Sequence, residues 1–214
     1  MSRPRIEPGP DDVLLVVDIQ HGFLPGGPLP VPGGDEVIPV VNRLGPRFRH
    51  VVLTQDWHTP GHLSFASSHP GKKPFETIEL PSGTQVRWPD HCIQGTPDAD
   101  LHPGLHLPQA QLIIRKGYRH HVDSYSAFVE ADRQTATGLT GYLRERGLRR
   151  VFLAGLATDF CVTWSAQDAR RAGFAVSVVE DATRGIDVAG SLAQAWEDMA
   201  AVGVSRITSS AVTG

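Results

Sequence analysis

Short apolar runs alternate with amphipathic stretches along most of the chain. Residues 12–19, DVLLVVDI, are almost continuously apolar and read as a central parallel strand, broken near its end by one acid, Asp18. Residues 50–55 (HVVLTQ), 111–116 (QLIIRK), 151–154 (VFLA), 174–179 (FAVSVV) and 204–208 predict five further strands. Between them lie segments with helical spacing. Residues 35–48 form one, with Pro39 near the first turn, where a missing N–H is tolerated. Residues 137–147 form another, with Leu139, Tyr142, Leu143 and Leu148 on one apolar side. A third runs from Phe160 to Arg171 and stops at Gly173, and residues 189–202 supply the last. Strands alternating with helices predict a three-layer α/β/α arrangement, with a mostly parallel, six-stranded, Rossmann-like sheet in the middle. Residues 20–34 and 59–106 break the pattern, being rich in Pro and Gly. So long an irregular segment as the second is expected to be functional. With no repeat and no shift in composition, residues 1–214 read as a single domain.

Composition narrows the partners. Forty per cent hydrophobic and 20% charged residues suit an ordinary globular core. A formal net charge of −3 offers no polybasic footprint for nucleic acid or acidic lipid, so neither is an expected partner. No apolar stretch approaches the ~18 residues that span a bilayer. Residues 1–8, MSRPRIEP, lack the apolar core of a signal peptide. Two cysteines make no disulfide framework. A reducing, cytoplasmic setting is expected. Seven of the ten histidines fall at or after His50 and before Gln111, and so histidine is the residue type that most needs a chemical account.

Three reactive groups stand where strands end: Asp18, Lys116 and, a few residues past the fourth strand, Cys161. In an open α/β sheet the carboxyl ends of the strands form the edge where ligands bind. Thr158 and Asp159 can cap the helix that follows, which would place Cys161 in its first turn, where backbone N–H groups and the helix dipole favour a thiolate. Each residue also has a plain reading, Cys161 as a packed thiol and the charges as strand ends meeting water. Together they supply what attack on a carboxamide needs: a nucleophile, a carboxylate to accept and return its proton, a cation, and N–H donors for an oxyanion. A second constellation is Asp56, His58, His62 and His91, one carboxylate and three imidazoles within the irregular region. These either hold zinc, manganese or iron(II), or hydrogen-bond to the loop backbone.

These residues resemble a known family. Thr54-Gln55-Asp56-Trp57-His58, then Pro60-Gly61-His62-Leu63-Ser64-Phe65, then Trp88-Pro89-Asp90-His91-Cys92 with Gly95-Thr96, is similar to the metal segment of nicotinamidases, in the isochorismatase-like cysteine hydrolase superfamily. Val17-Asp18-Ile19-Gln20, Arg115-Lys116-Gly117 and Gly155-Leu156-Ala157-Thr158-Asp159-Phe160-Cys161 resemble its three catalytic segments in the same order. The resemblance runs from about Val13 to the last strand.

The resemblance implies a catalytic triad of Asp18, Lys116 and Cys161, with the backbone of Ala157 and Cys161 as oxyanion hole and a cis peptide before Ala157. It implies one divalent metal ion, zinc first and manganese or iron as alternatives, on Asp56, His58, His62 and His91. Phe23, Trp88 and Tyr125 are the expected contacts to the substrate ring. The implied reaction is hydrolysis of nicotinamide to nicotinate and ammonia through a cysteine thioester, a step of NAD salvage. Alternatives are a related amidase for another heteroaromatic amide, such as pyrazinamide, or an inactive metal-dependent binding protein of the same fold. A homo-oligomer is open. The chain departs from the family pattern after Gln20, where His21-Gly22-Phe23 replaces the usual Asn-Asp-Phe, so a different loop geometry is expected beside Asp18.

Overall fold

The computed structural model describes residues 5–80 and 83–214. Six strands form one parallel sheet: β1 (Asp12–Val17), β2 (His50–Asp56), β5 (Leu112–Lys116), β6 (Arg150–Leu156), β7 (Ala175–Arg184) and β8 (Ser205–Ile207), in the order β5-β2-β1-β6-β7-β8. β1 is central and wholly buried, as a continuous apolar run requires when helices cover both faces. Its side chains alternate. Leu14 and Val16 join Leu53, Phe152 and Ala154 against α1 (Val37–Leu44), whereas Val13, Leu15 and Val17 join Leu153 on the other face. There they meet α2 (Leu139–Glu145) through Leu139 and Leu143, α3 (Thr163–Arg171) through Ala166 and Ala169, and α4 (Ser191–Ala201) through Met199. Full burial of each such Val or Leu contributes roughly 1.5–3 kcal/mol, so the two apolar layers hold the sheet between the helices. Among the described residues, no helix is long and apolar enough to cross a membrane.

The structure departs from the sequence pattern in three places. The expected helix over 35–48 is α-helical only at Val37–Leu44, between tight turns at Gly34–Glu36 and Gly45–Arg47. Pro46 lacks the N–H that would continue the α-helical ladder, so α1 gives way to the turn Gly45–Arg47, although Gly45 itself keeps a helical backbone (φ −47°, ψ −49°). The fifth strand runs on to Arg184 across a register shift opposite Leu153 and Gly155. The irregular region contains an antiparallel hairpin, β3 (Thr77–Leu80) with β4 (Gly83–Val86), that is not part of the main sheet. Its short polar strands carry a weaker pattern than the buried ones.

Candidate active site

Four parallel strands deliver the chemistry to one edge. Asp18 follows β1 directly, Asp56 ends β2, Lys116 ends β5, and Cys161 follows β6. Because β1, β2, β5 and β6 are neighbours, residues far apart in sequence converge. The Lys116 ammonium is fully buried and lies 2.8 Å from Asp18 Oδ2 and 3.4 Å from Cys161 Sγ; it also donates to Asp56 Oδ1 and, at 3.5 Å, to the Ser124 carbonyl. An oxygen of Asp18, an oxygen of Asp56 and the Cys161 sulfur all lie within 4.8 Å of one another. Asp18 is held in a left-handed backbone conformation (φ 48°), a costly one for a non-glycine residue. Thr54 fixes it from both sides: its Oγ1 accepts the Asp18 N–H at 3.1 Å and donates to Asp18 Oδ1.

Burial and charge set the protonation of the group. Burial lifts the Asp18 carboxyl above its ordinary value, more than the Lys116 ammonium lowers it. Burial acts the same way on Asp56, but Lys116 and then His58 outweigh it and hold that carboxyl well below the usual range. Burial opposes charge on Lys116, yet Asp18 and Asp56 keep it protonated. The Cys161 thiol is pushed well up by burial, against Lys116 and with Asp18 and Asp56. The thiolate expected from a helix amino end is therefore not the resting state. The local backbone differs too: Thr158–Val162 is a π-turn that precedes α3, and Asp159 does not cap it. The Asp159 carboxylate instead accepts from the Ile186 and Asp187 N–H groups and the Ser191 hydroxyl, tying down the segment before α4. The peptide before Ala157 is cis, as the resemblance implies.

The histidines divide into two sets. His58 donates Nδ1–H to the Gly117 carbonyl at 3.1 Å and His91 donates Nδ1–H to the Pro89 carbonyl at 2.7 Å. Both turn Nε2 toward Asp56 Oδ2, at 3.5 and 3.7 Å. Backbone carbonyls that fix the tautomer and free Nε2 are the usual support of a metal-binding imidazole. The donor set Asp56, His58, His91, all buried, fits a divalent cation. His62 stands outside it, its ring tilted 42° to that of His58 at a centroid distance of 4.5 Å. Its Nε2 donates to the Arg119 and Val122 carbonyls at 3.0 and 3.2 Å, and its Nδ1 accepts from the Ser64 hydroxyl at 2.8 Å, so neither nitrogen is free for a metal. Burial lowers its pKa to about 4, which keeps it neutral. The four expected residues thus fall into two overlapping donor groups, Asp56 with His58 and His91, and His62 with His58 and Asp123. Gly117 permits this approach: at φ +69°, a Cβ there would stand 2.5 Å from the His58 ring.

Above these groups lies a small pocket, lined by Phe23, Trp88, Tyr125, Phe160, Ala157 and Cys161 together with Asp56, His58, His91 and Asp123. The three aromatic residues expected at a ring are all in its wall. Trp88 Nε1 donates to the Tyr125 hydroxyl at 3.0 Å, and Gln85 of β4 donates to the same hydroxyl and to Asp123. A larger surface hollow lies beside β8, away from this chemistry. The altered segment after Gln20 forms a tight turn, His21–Phe23. Gly22 lies against Cys92, where a Cβ would come within 2.7 Å of the sulfur. Gln20 supplies the anchoring: its side chain accepts the Asp56 N–H and donates to the Asp56 and Ala99 carbonyls, all 2.8 Å. Gln20, Thr54, Gln85 and Asp123 escaped sequence reasoning. A buried polar residue inside an apolar strand, as Thr54 is in β2, was the one available signal.

Comparison with known proteins agrees with this geometry. A family model described as isochorismatase domain matches residues 12–211. The chain is 58% identical to a nicotinamidase of Acinetobacter baylyi over 209 residues, covering 98% of each chain. A solved Acinetobacter baumannii structure described as a nicotinamidase and pyrazinamidase superposes with TM-score 0.94 at 59% identity, covering 94% of this chain and 98% of that one. A Pyrococcus horikoshii pyrazinamidase solved in complex with zinc gives TM-score 0.77 at 35% identity, over 93% and 99%. On the family match along nearly its whole length and the close relatives that share its sheet, the chain belongs to the isochorismatase family.

Proposed function

We propose that this protein is a nicotinamidase, which converts nicotinamide and water to nicotinate and ammonia and so returns nicotinate to pyridine nucleotide salvage. One observation carries the reading. The buried Lys116 ammonium sits between Asp18 and Cys161, and Cys161 opens into an aromatic pocket beside a metal donor set. In this scheme Asp18 takes the Cys161 proton as the sulfur attacks the carboxamide carbon. The C–S bond forms and the carbonyl electron pair moves to oxygen. The N–H groups of Ala157 and Cys161 hold that oxyanion. Asp18 returns the proton to the amine, the C–N bond breaks, and ammonia leaves a thioester. Water then attacks the thioester carbon while Asp18 accepts its proton; the C–S bond breaks and the thiol is restored. Lys116 stays protonated and balances whichever of Asp18 and Cys161 is charged. A thiol that is neutral at rest, beside a carboxylate of raised basicity, suits a base that acts only when substrate is in place.

Asp56, His58 and His91 would hold a divalent cation, with His62 packed beside His58. Zinc is favoured, given the zinc in the P. horikoshii relative. Such an ion would supply a Lewis-acid anchor for the pyridine nitrogen. Phe23, Trp88 and Tyr125 would pack on the ring. Pyrazinamide, with a second ring nitrogen and the same shape, is a further substrate under this reading, in keeping with the description of the A. baumannii relative. The test is ammonia release from nicotinamide by wild type and Cys161→Ala. Wild type should turn over, and the variant should fall to the uncatalysed background while still binding nicotinamide. Equal ammonia release by the two proteins would refute the thioester route.

A further inference from the structure

Asp123 belongs to none of the groups assigned above, yet it is a buried carboxylate in the wall of the reaction cavity. It follows the loop after β5. Oδ1 accepts the Ser124 N–H at 2.8 Å and Oδ2 accepts Gln85 Nε2 at 2.6 Å, both neutral donors. One of its oxygens lies within 4.8 Å of ring nitrogens of His58 and His62. Among the described residues it makes no ion pair within 4.0 Å. Arg87 and Glu130 are buried but do not line the cavity; Arg87 donates one N–H to the Leu63 carbonyl and also interacts electrostatically with Asp123. The ionisable groups that line the cavity are Asp56, Asp123, His58, His91, Tyr125 and Cys161; Asp18 and Lys116 pair with each other outside the lining and add no net charge. The two lining carboxylates give −2, which a divalent cation on Asp56, His58 and His91 would cancel.

We infer that Asp123 is a specificity-determining residue that makes the cavity discriminate against anions, so that a neutral heteroaromatic amide is admitted and its carboxylate product is expelled. This rests on the amidase reading above. Hydrolysis turns a neutral ligand into an anion in place, inside a water-poor cavity where charges interact strongly. With Asp123 present, the metal-loaded site holds no net charge to retain the product. Without it, the site would be positive by one and would trap the product. The fixed charge therefore turns the reaction's own charge change into a driving force for release.

The test compares metal-loaded wild type with Asp123→Asn. Asparagine keeps an acceptor for the Ser124 N–H, and its amide can pair with a turned Gln85, so the shape is retained and the charge removed. Nicotinate affinity is read by calorimetry and as product inhibition, and 3-acetylpyridine serves as a neutral probe of similar shape. Nicotinate should bind the variant on the order of tenfold more tightly, a larger change than in kcat/KM for nicotinamide. Wild type alone gives a second readout: 3-acetylpyridine should bind on the order of tenfold more tightly than nicotinate. Unchanged nicotinate affinity in a folded variant, or equal binding of the two ligands to wild type, overturns the inference. A wild type that releases no ammonia from nicotinamide overturns the amidase reading instead, and the ligand pair still reports on anion discrimination.

Discussion

Lys116 touches Asp18, Asp56, Cys161 and the Ser124 carbonyl at once, which makes it the residue through which the metal side and the nucleophile side of the site are joined. Its strand position was readable from the sequence, but its contact with Asp56 was not, because that contact depends on β5 pairing with β2 in the register that sets Lys116 opposite Asp56. Thr54 shows the same limit. In sequence it is one more β-branched strand residue; in the fold both of its hydrogen bonds go to Asp18. Thr54→Val should keep the shape and lose those bonds, lowering stability by about 1–2 kcal/mol and kcat more than KM, as urea unfolding and steady-state kinetics would report. The histidines separate by their hydrogen bonds rather than by spacing. His58→Ala should abolish stoichiometric metal binding, whereas His62→Ala should retain it with affinity about 10–100-fold weaker, measured against a competing chelator. Equal loss in both variants would return His62 to the donor set.

At the scale of elements, the register between β1 and β6 places Asp18 beside the Cys161 turn. Gly155 pairs with Val17 at φ +111°, and a Cβ there would lie 2.0 Å from the Val17 carbonyl oxygen. Gly155→Ala must therefore push the two central strands apart just below the nucleophile. A loss of more than about 3 kcal/mol is expected, read as a lower urea midpoint, together with lost activity. The strands themselves were legible because each is an apolar run of the right length. Helix ends were less so: Pro46 shortened α1, and Asp159 stabilised the turn before α4 rather than α3. A capping residue can be recognised locally, but which N–H groups it meets is settled by packing. The β3–β4 hairpin was missed for a related reason, since its strands take little of the core and show little periodicity.

For the whole molecule, the metal donors belong to the segment from β2 to His91, most of it irregular, and the nucleophile to the far end of the chain. An ion held by Asp56, His58 and His91 would bind the folded state and not the unfolded one. Removing it with a chelator should lower the thermal midpoint, and restoring it at 100 times Kd should return about 2.7 kcal/mol of stability. An unchanged midpoint would mean that the three donors are held by hydrogen bonds alone. What the sequence determined by itself was the layered α/β architecture, because apolar periodicity is a local property. It also singled out Asp18, Lys116 and Cys161 as reactive groups at or near strand ends, because such groups are costly to bury unless used, while Asp56, His58, His62 and His91 were a candidate metal set that the family resemblance made specific. The tertiary structure decided which of them touch, that burial raises the Cys161 thiol, that both ring nitrogens of His62 are hydrogen-bonded, and that Asp123 faces the cavity. Those properties depend on distances and burial between residues up to 100 and more positions apart, which strand order fixes and local pattern does not.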